Sequence, residues 1–254
     1  MKPRSLLAPN ASPMTMAGTV TYVVGRRHAV ILDPGSAADS HLAALATTVR
    51  HAEDVTIVLS HDHPDHSAGA EELAESLAAG DRGRVEIRSA ALGNLMDGDV
   101  LPTDDGDLIA LATPGHCPDH TAFHWPAADA VFCGDLMMGG LDTAVVAAPE
   151  GSIREYLESL ERLRSLHPSI IYPSHGPAFT DPDAALDRYV AHRYERERQV
   201  LGALAGGALG IAEVTDRVYG SGLEPGLRPF AEAAVAAYLE HLRETGRLTG
   251  SATR

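Results

Sequence analysis

Eight short runs rich in β-branched and aliphatic residues punctuate the first 176 positions, and they commit the chain to a fold built on β-sheet. They are TVTYVVG (19–25), HAVILDPG (28–35), VTIVLS (55–60), VEIRSA (85–90), DLIALATPG (107–115), TAFHWP (121–126), AVFCGD (130–135) and SIIYPSHG (169–176). Short apolar runs closed by Gly, Pro or a polar residue fit strands buried within a sheet. Helical spacing separates several of them, over 36–50 with Ser36 as the expected cap, over 67–79 opened by Ser67, and over 152–167. Strands interleaved with helices predict an α+β arrangement in which helices flank sheets.

From Asp183 the pattern changes to three helix-like segments, 183–207, 211–220 and 228–248, parted by Gly and Pro. We therefore expect a main domain over 1–185 and a small helical domain over 186–254. Charge follows this division. Residues 1–182 carry 11 basic and 25 acidic side chains, whereas 183–254 carry 9 and 10, so nearly all of the net charge of −15 lies in the first part. An acidic surface repels phosphate backbones, which makes nucleic acid a disfavoured partner. Two cysteines are too few for a disulfide framework, and the N-terminus lacks the apolar core of a signal peptide, so a reducing, cytoplasmic location is expected. No apolar run reaches the ~18 residues of a membrane span, and no membrane association is expected.

The segment VLSHDHPDHSAG (58–69) places His61, Asp62, His63, Pro64, Asp65 and His66 directly after an apolar run. In an extended stretch, His61 and His63 point to one side, and Pro64 then bends the chain to bring Asp65 and His66 round. Neutral imidazole and carboxylate suit zinc and its neighbours, yet one loop supplies too few groups for two ions. Other runs end in candidates of the same kind: His116 in TPGH, Asp135 in CGD and His175 in SHGP, each beside a Gly that lets the backbone turn tightly.

Taken together, HDHPDH, TPGH, CGD and SHGP resemble the metallo-β-lactamase-fold hydrolase superfamily in order, kind and flanking residues. The longer stretches SPMTMAGTVTYVVG, APEGSIREYLESLERL, YPSHGPAFTDP and HRYERERQVLGAL are similar to the subgroup around β-lactamase-like protein 2. The resemblance implies a four-layer αββα sandwich with a winged-helix-like C-terminal domain. It also implies that His61, His63 and His116 bind one metal, that Asp65, His66 and His175 bind a second, and that Asp135 bridges them. Two Zn2+ ions are the implied cofactors, with Mn2+ or Fe as alternatives. Val20 and Leu136 depart from the subgroup's usual Asn and His or Cys, which bears on substrate choice.

Two adjacent metals acidify a bridging water and polarise the bond under attack, so hydrolysis is the expected reaction, with Asp65 and Asp135 in catalytic roles. The favoured substrate is a thioester, ester or lactone, free or presented on a carrier. A single-strand-specific ribonuclease is the alternative, and a non-catalytic binding protein ranks third. The tail is expected to wall the cleft or to form a homodimer.

Other groups have plainer readings. His28, His41, His51, His124, His167, His192 and His241 are taken as surface or core residues, and His120 as a hydrogen-bonding neighbour of the site. Cys117 and Cys133 are taken as buried small residues, and Asp62 as a support for an imidazole, with capping of the loop as the alternative. Met137 and Met138 either line the mouth or pack the core. RYERERQ reads as a solvated helix face with internal ion pairs.

Overall fold

A computed structural model describes residues 1–80, 83–220, 222–223 and 226–248. Two five-stranded sheets form the centre of the molecule. The first has the order β1 (Arg4–Leu7), β2 (Val20–Val24), β3 (His28–Leu32), β4 (Asp54–Val58), β5 (Val85–Arg88); its first two pairings are antiparallel and its last two parallel. The second has the order β10 (Ile170–Pro173), β9 (Ala130–Gly134), β8 (Thr121–Trp125), β7 (Leu108–Ala112), β6 (Val100–Leu101), in which only β10 and β9 run parallel.

The strands read as nearly continuous apolar runs because both faces of each sheet are covered. Successive side chains alternate between faces, and the core divides accordingly. In β3, Val30 and Leu32 join Phe123, Trp125 and Phe132 of the other sheet between the layers, while Ala29 and Ile31 pack outward on Leu42, Leu45 and Leu73. Those outward partners belong to α1 (Asp39–Thr48) and α3 (Ala70–Ala78). In β9, Ala130 and Phe132 face the middle, and Val131 and Cys133 face Tyr156, Leu160 and Leu163 of α4 (Ile153–Arg164). The result is the expected αββα sandwich. Across its middle, the Tyr22 hydroxyl donates to the Pro173 carbonyl at 2.8 Å, tying β2 to the end of β10.

The expected helices are present with corrected ends. Ser36 does not cap α1; its Oγ accepts from the Ala38 N–H at 3.2 Å in a turn just before the helix, and the cap position is Ala38. Ser67 does not open α3, because it closes a separate single turn, α2 (Pro64–Ser67). By contrast, Ser152 caps α4, its Oγ accepting the Glu155 N–H. The short strands β1 and β6 carry too little apolar sequence to stand out in advance.

The tail folds as α5 (Pro182–Ala205), α6 (Ile211–Tyr219) and α7 (Arg228–Glu244). Asp181 caps α5 with Pro182 in its first turn, so the helix starts before the expected domain boundary at 185/186 and runs across it. Val200, Val214, Val235, Tyr238 and Leu242 share one apolar cluster with β9 and α4. The tail is therefore the outer cover of the second sheet. Among the described residues after Pro173 there is no strand, and residues 249–254 of the expected second domain lie outside the described residues. None of the described helices is long and apolar enough to cross a membrane.

Candidate metal centre

Several strand ends meet at one rim of the sandwich, and each delivers polar side chains there. The chain leaving β4 carries His61 and His63, and turns after β7, β9 and β10 carry His116, Asp135 and His175. Pro64 does more than bend a loop. Its fixed φ suits the first position of α2, and that turn carries Asp65 and His66.

His61 Nε2 lies 2.9 Å from His63 Nδ1, which lies 3.2 Å from His116 Nε2. Beside this trio, His66 Nε2 is 3.5 Å from Asp65 Oδ2 and 3.4 Å from Asp135 Oδ1, and His175 Nε2 is 3.2 and 3.3 Å from the same two oxygens. Asp135 turns its other oxygen to the first trio, with Oδ2 4.0 Å from His116 Nε2. All seven residues singled out as metal ligands from the sequence are thus brought together as two clusters sharing Asp135.

The outward side of each ring explains the inward one. His61 Nδ1 is 3.0 Å from Ser60 Oγ, whose own proton goes to Asp33 Oδ2 at 2.8 Å. His66 Nδ1 donates to Asp33 Oδ2 at 2.9 Å, and His116 Nδ1 to the Val145 carbonyl at 2.7 Å. His175 Nδ1 donates to the Gly18 carbonyl at 3.3 Å, and His63 Nε2 to Glu150 Oε2 at 3.2 Å. Assigned from this network, each ring spends its proton outward and keeps a lone pair inward. Five lone pairs and two carboxylates then face one another, an arrangement that a cation relieves. His66 Nε2, Asp135 Oδ1 and His175 Nε2 are buried with no hydrogen-bond partner, as open coordination positions would be.

Burial disfavours charge throughout the cluster, and it holds His61 and His116 below the ordinary imidazole value. At His66 burial is overcome by the Asp135 and Asp33 carboxylates, which raise the ring's pKa. At His175 burial is overcome by the adjacent Asp65 and Asp135 carboxylates, which raise the ring's pKa. Asp65 and Asp135 in turn stay well below the carboxylate range, because these imidazoles outweigh the desolvation. A bound cation would supply the positive charge that these carboxylates otherwise draw from the imidazoles.

Asp33 escaped the sequence reading. It closes β3 in left-handed backbone (φ 50°), and its carboxylate also accepts the Ser60 N–H at 2.7 Å and the Ser174 hydroxyl at 2.9 Å. The available signal was an acid ending an apolar strand, in HAVILDPG. Asp62, expected to hold an imidazole, has an exposed side chain instead; its N–H donates to Asp119 Oδ2 at 3.0 Å. His120 is the expected hydrogen-bonding neighbour. Its Nε2 accepts the Asp135 N–H at 3.1 Å, its Nδ1 pairs with Thr113 Oγ1 at 2.9 Å, and burial pushes its pKa down to about 3. Gly134 must be Gly for this contact, since a Cβ there would meet His120 Nε2 at 2.5 Å.

Cys117 Sγ lies within 4.8 Å of the His61, His63 and His116 ligand atoms, but burial and then Asp119 push the thiol far above its usual value, so it stays protonated. Cys133 and Met137 are core residues, and so is Leu136. RYERERQ is solvated only in part: Arg198 pairs with Glu195 at the surface, while Arg193 and Glu197 are buried.

A cavity of about 450 Å³ opens onto the clusters. Its walls are Met14, Met138, Val145, Ala147, Ala148, Pro149, Pro229, Phe230 and Ala233, with Glu150 at the edge and, among the described residues, no Lys or Arg.

Comparison with known proteins agrees with the fold. The model of the metallo-beta-lactamase superfamily matches residues 15–175. A beta-lactamase-like protein 2 homolog of Caenorhabditis elegans is 28% identical over 84% of this chain and 75% of its own. An atrochrysone carboxyl ACP thioesterase of Aspergillus chevalieri is 30% identical over 85% of this chain and 72% of its own. The crystal structure of a metallo-beta-lactamase family protein from Thermus thermophilus superposes with a TM-score of 0.74, at 22% identity, covering 98% of this chain and 96% of that one.

Proposed function

Because the chain belongs to the metallo-beta-lactamase superfamily, a hydrolase family whose fold implies a dinuclear metal site, we propose that it is a two-metal thioesterase acting on small-molecule or carrier-bound acyl thioesters. The observation that carries the metal part is the set of five inward-facing lone pairs, each enforced by an outward acceptor, arranged in two clusters around Asp135. His61 Nε2, His63 Nδ1 and His116 Nε2 would hold one ion, and Asp65, His66 Nε2 and His175 Nε2 the other. Asp135 would give one oxygen to each. Imidazole and carboxylate in these proportions suit Zn2+, with Fe or Mn2+ also compatible. Two such ions supply an ionised water near neutral pH and polarise the carbonyl under attack.

The chain's own groups do the remaining work. Asp65 is partly exposed to the cavity and stays ionised, so its free oxygen is available to orient the attacking water and accept its proton. Asp135 is mostly covered and held by its N–H on His120 Nε2, which orients its carboxylate. Met14, Met138, Val145 and Phe230 shield the reacting centre from bulk water. No side-chain nucleophile is required.

The choice of an acyl substrate rests on the cavity wall, which is apolar and carries no cation to meet a phosphodiester backbone. The thioesterase name of a relative spanning 85% of this chain supports a thioester, including one on a carrier protein. The tail has a part in this reading, because Pro229, Phe230 and Ala233 of α7 form one wall of the cavity. The test is to assay the metal-loaded protein against a panel of acyl thioesters and a labelled single-stranded RNA. Metal-dependent release of thiol is expected. Cleavage of RNA alone would reverse the choice of substrate, and inactivity on both would point to a binding role.

A further inference from the structure

Behind the metal cavity lies a second one, of about 330 Å³, and Met14, Met138, Val145 and Phe230 line both. Its remaining wall is mostly aliphatic and aromatic, but Arg193, Arg196, His192, Tyr219 and Tyr238 also border it. These polar groups are short of partners. Arg193 is only 4% exposed, its Nη2 donates to Thr143 Oγ1 and the Ala144 carbonyl, and its Nε has no acceptor. Its guanidinium carbon sits 4.6 Å from the centre of the Tyr156 ring. Arg196 Nη1 donates to Gln199 Oε1 at 2.9 Å and to the Val218 carbonyl at 3.4 Å, and the guanidinium stacks on Tyr219 at 4.2 Å. The Tyr238 hydroxyl and His192 Nδ1 are buried without hydrogen-bond partners.

Among the described residues, no carboxylate lies within 4.0 Å of either guanidinium. The nearby acids are paired elsewhere: Glu195 with Arg198, Glu197 with His241 and Arg247, and Asp142, which opposes the arginines at His192, with Arg188. A desolvated cation without a counter-anion is costly, and the buried Arg193 beside the half-buried Arg196 makes a local positive field at one cavity of a chain of net charge −15. The field acts on its neighbour, since burial and then Arg193 and Arg196 push the His192 imidazole down to about 4. Clamping the 143–145 segment employs only Nη2 of Arg193. It leaves Arg193 Nε, His192 Nδ1 and the Tyr238 hydroxyl without a partner, and Arg196 with a guanidinium held by neutral groups alone.

We infer that this second cavity receives the far end of the acyl group, and that the end it selects carries a carboxylate, bound by Arg196 at the cavity wall in the field of the buried Arg193 behind it. The inference rests on the thioesterase reading and adds to it a substrate class: acyl thioesters whose distal end is anionic. The thioester would lie in the first cavity, an apolar stretch between Met138, Val145 and Phe230, and the carboxylate in the second.

The test uses the full, metal-loaded chain and two matched series of N-acetylcysteamine derivatives, one ending in a methyl group and the other in a carboxylate. Hydrolysis is measured on the thioesters. Binding is measured by calorimetry on the corresponding thioethers, which cannot be hydrolysed. We expect the carboxylated thioether to bind at least about ten-fold tighter, and the carboxylated thioester to show a matching advantage in KM. In Arg196→Gln the ratio between the two series should collapse toward one; Arg193→Met should do the same, but it also removes the clamp on Thr143 and Ala144, so Arg196→Gln decides. Equal affinity for the two thioethers in the unsubstituted protein, or a preference that survives Arg196→Gln, overturns the anion pocket. Selective binding without any thioester hydrolysis would instead sink the proposed reaction while leaving the pocket standing.

Discussion

Replacing Asp33 with Asn tests the claim that outward acceptors create the inward lone pairs. Asp33 Oδ2 receives protons from His66 Nδ1, Ser60 Oγ and Ser174 Oγ, and Oδ1 receives the Ser60 N–H. An amide keeps one acceptor oxygen and must turn an NH2 group toward one of these sets. If the oxygen stays with the Ser60 N–H, the two hydroxyls can rotate to accept. The imidazole can accept only by moving its proton to Nε2, the atom aimed at Asp65 and Asp135. Loss of one hydrogen bond to a buried charged group costs about 1.5–3 kcal/mol. At roughly 2–4 °C per kcal/mol for a chain of this size, metal-free Asp33→Asn should melt about 3–12 °C lower. Metal affinity at the site containing His66 should fall by about 10–100-fold, as for other loss of outer support. Differential scanning fluorimetry and competition with a chromophoric chelator measure the two effects. If melting and affinity both match those of the unsubstituted protein, the tautomer argument is wrong.

Glu150→Gln is the matched control, because the carboxylate behind His63 is largely exposed and Gln can still accept the proton; metal affinity should change by less than about three-fold. A Cβ on Gly134, which has φ 51°, would strike His120 Nε2, so Gly134→Ala should displace Asp135 and lower both metal content by atomic absorption and thioesterase rate by at least about ten-fold. The His120 pKa is held near 3 when folded, against an ordinary imidazole value when unfolded, so only the unfolded chain takes up this proton as pH falls. Its contribution is complete above about pH 6.5 and is lost progressively toward pH 3. His120→Gln, which keeps an acceptor for the Asp135 N–H, should therefore flatten the pH dependence of the melting temperature of the metal-free protein over that window; an unchanged profile would show that the ring is not neutral.

Much of this was legible in advance, and the exceptions share a cause. The eight apolar runs became β2–β5 and β7–β10 because sheets covered on both faces demand apolar residues at every position. The seven clustered residues stood out because His and Asp at Gly-bearing strand ends are chemically distinctive. Asp33 was missed since a lone acid before Pro-Gly looks like an ordinary turn residue, and only the meeting of β3, β4 and β10 reveals four donors around it. For the same reason Arg193 was read as solvated. Its local pattern matches an exposed helix face, and its burial depends on loop 143–145 and Tyr156, distant in sequence. Asp62 failed in the opposite way, because alternation along a strand assigns a side chain to a face without saying whether protein or solvent lies there.

The central claim is that two cations sit on either side of Asp135, and anomalous diffraction from metal-loaded crystals measures it directly. The account predicts two peaks, one bounded by His61, His63 and His116 and the other by Asp65, His66 and His175, each within bonding distance of one Asp135 oxygen. A single peak, or peaks held by other residues, would contradict it.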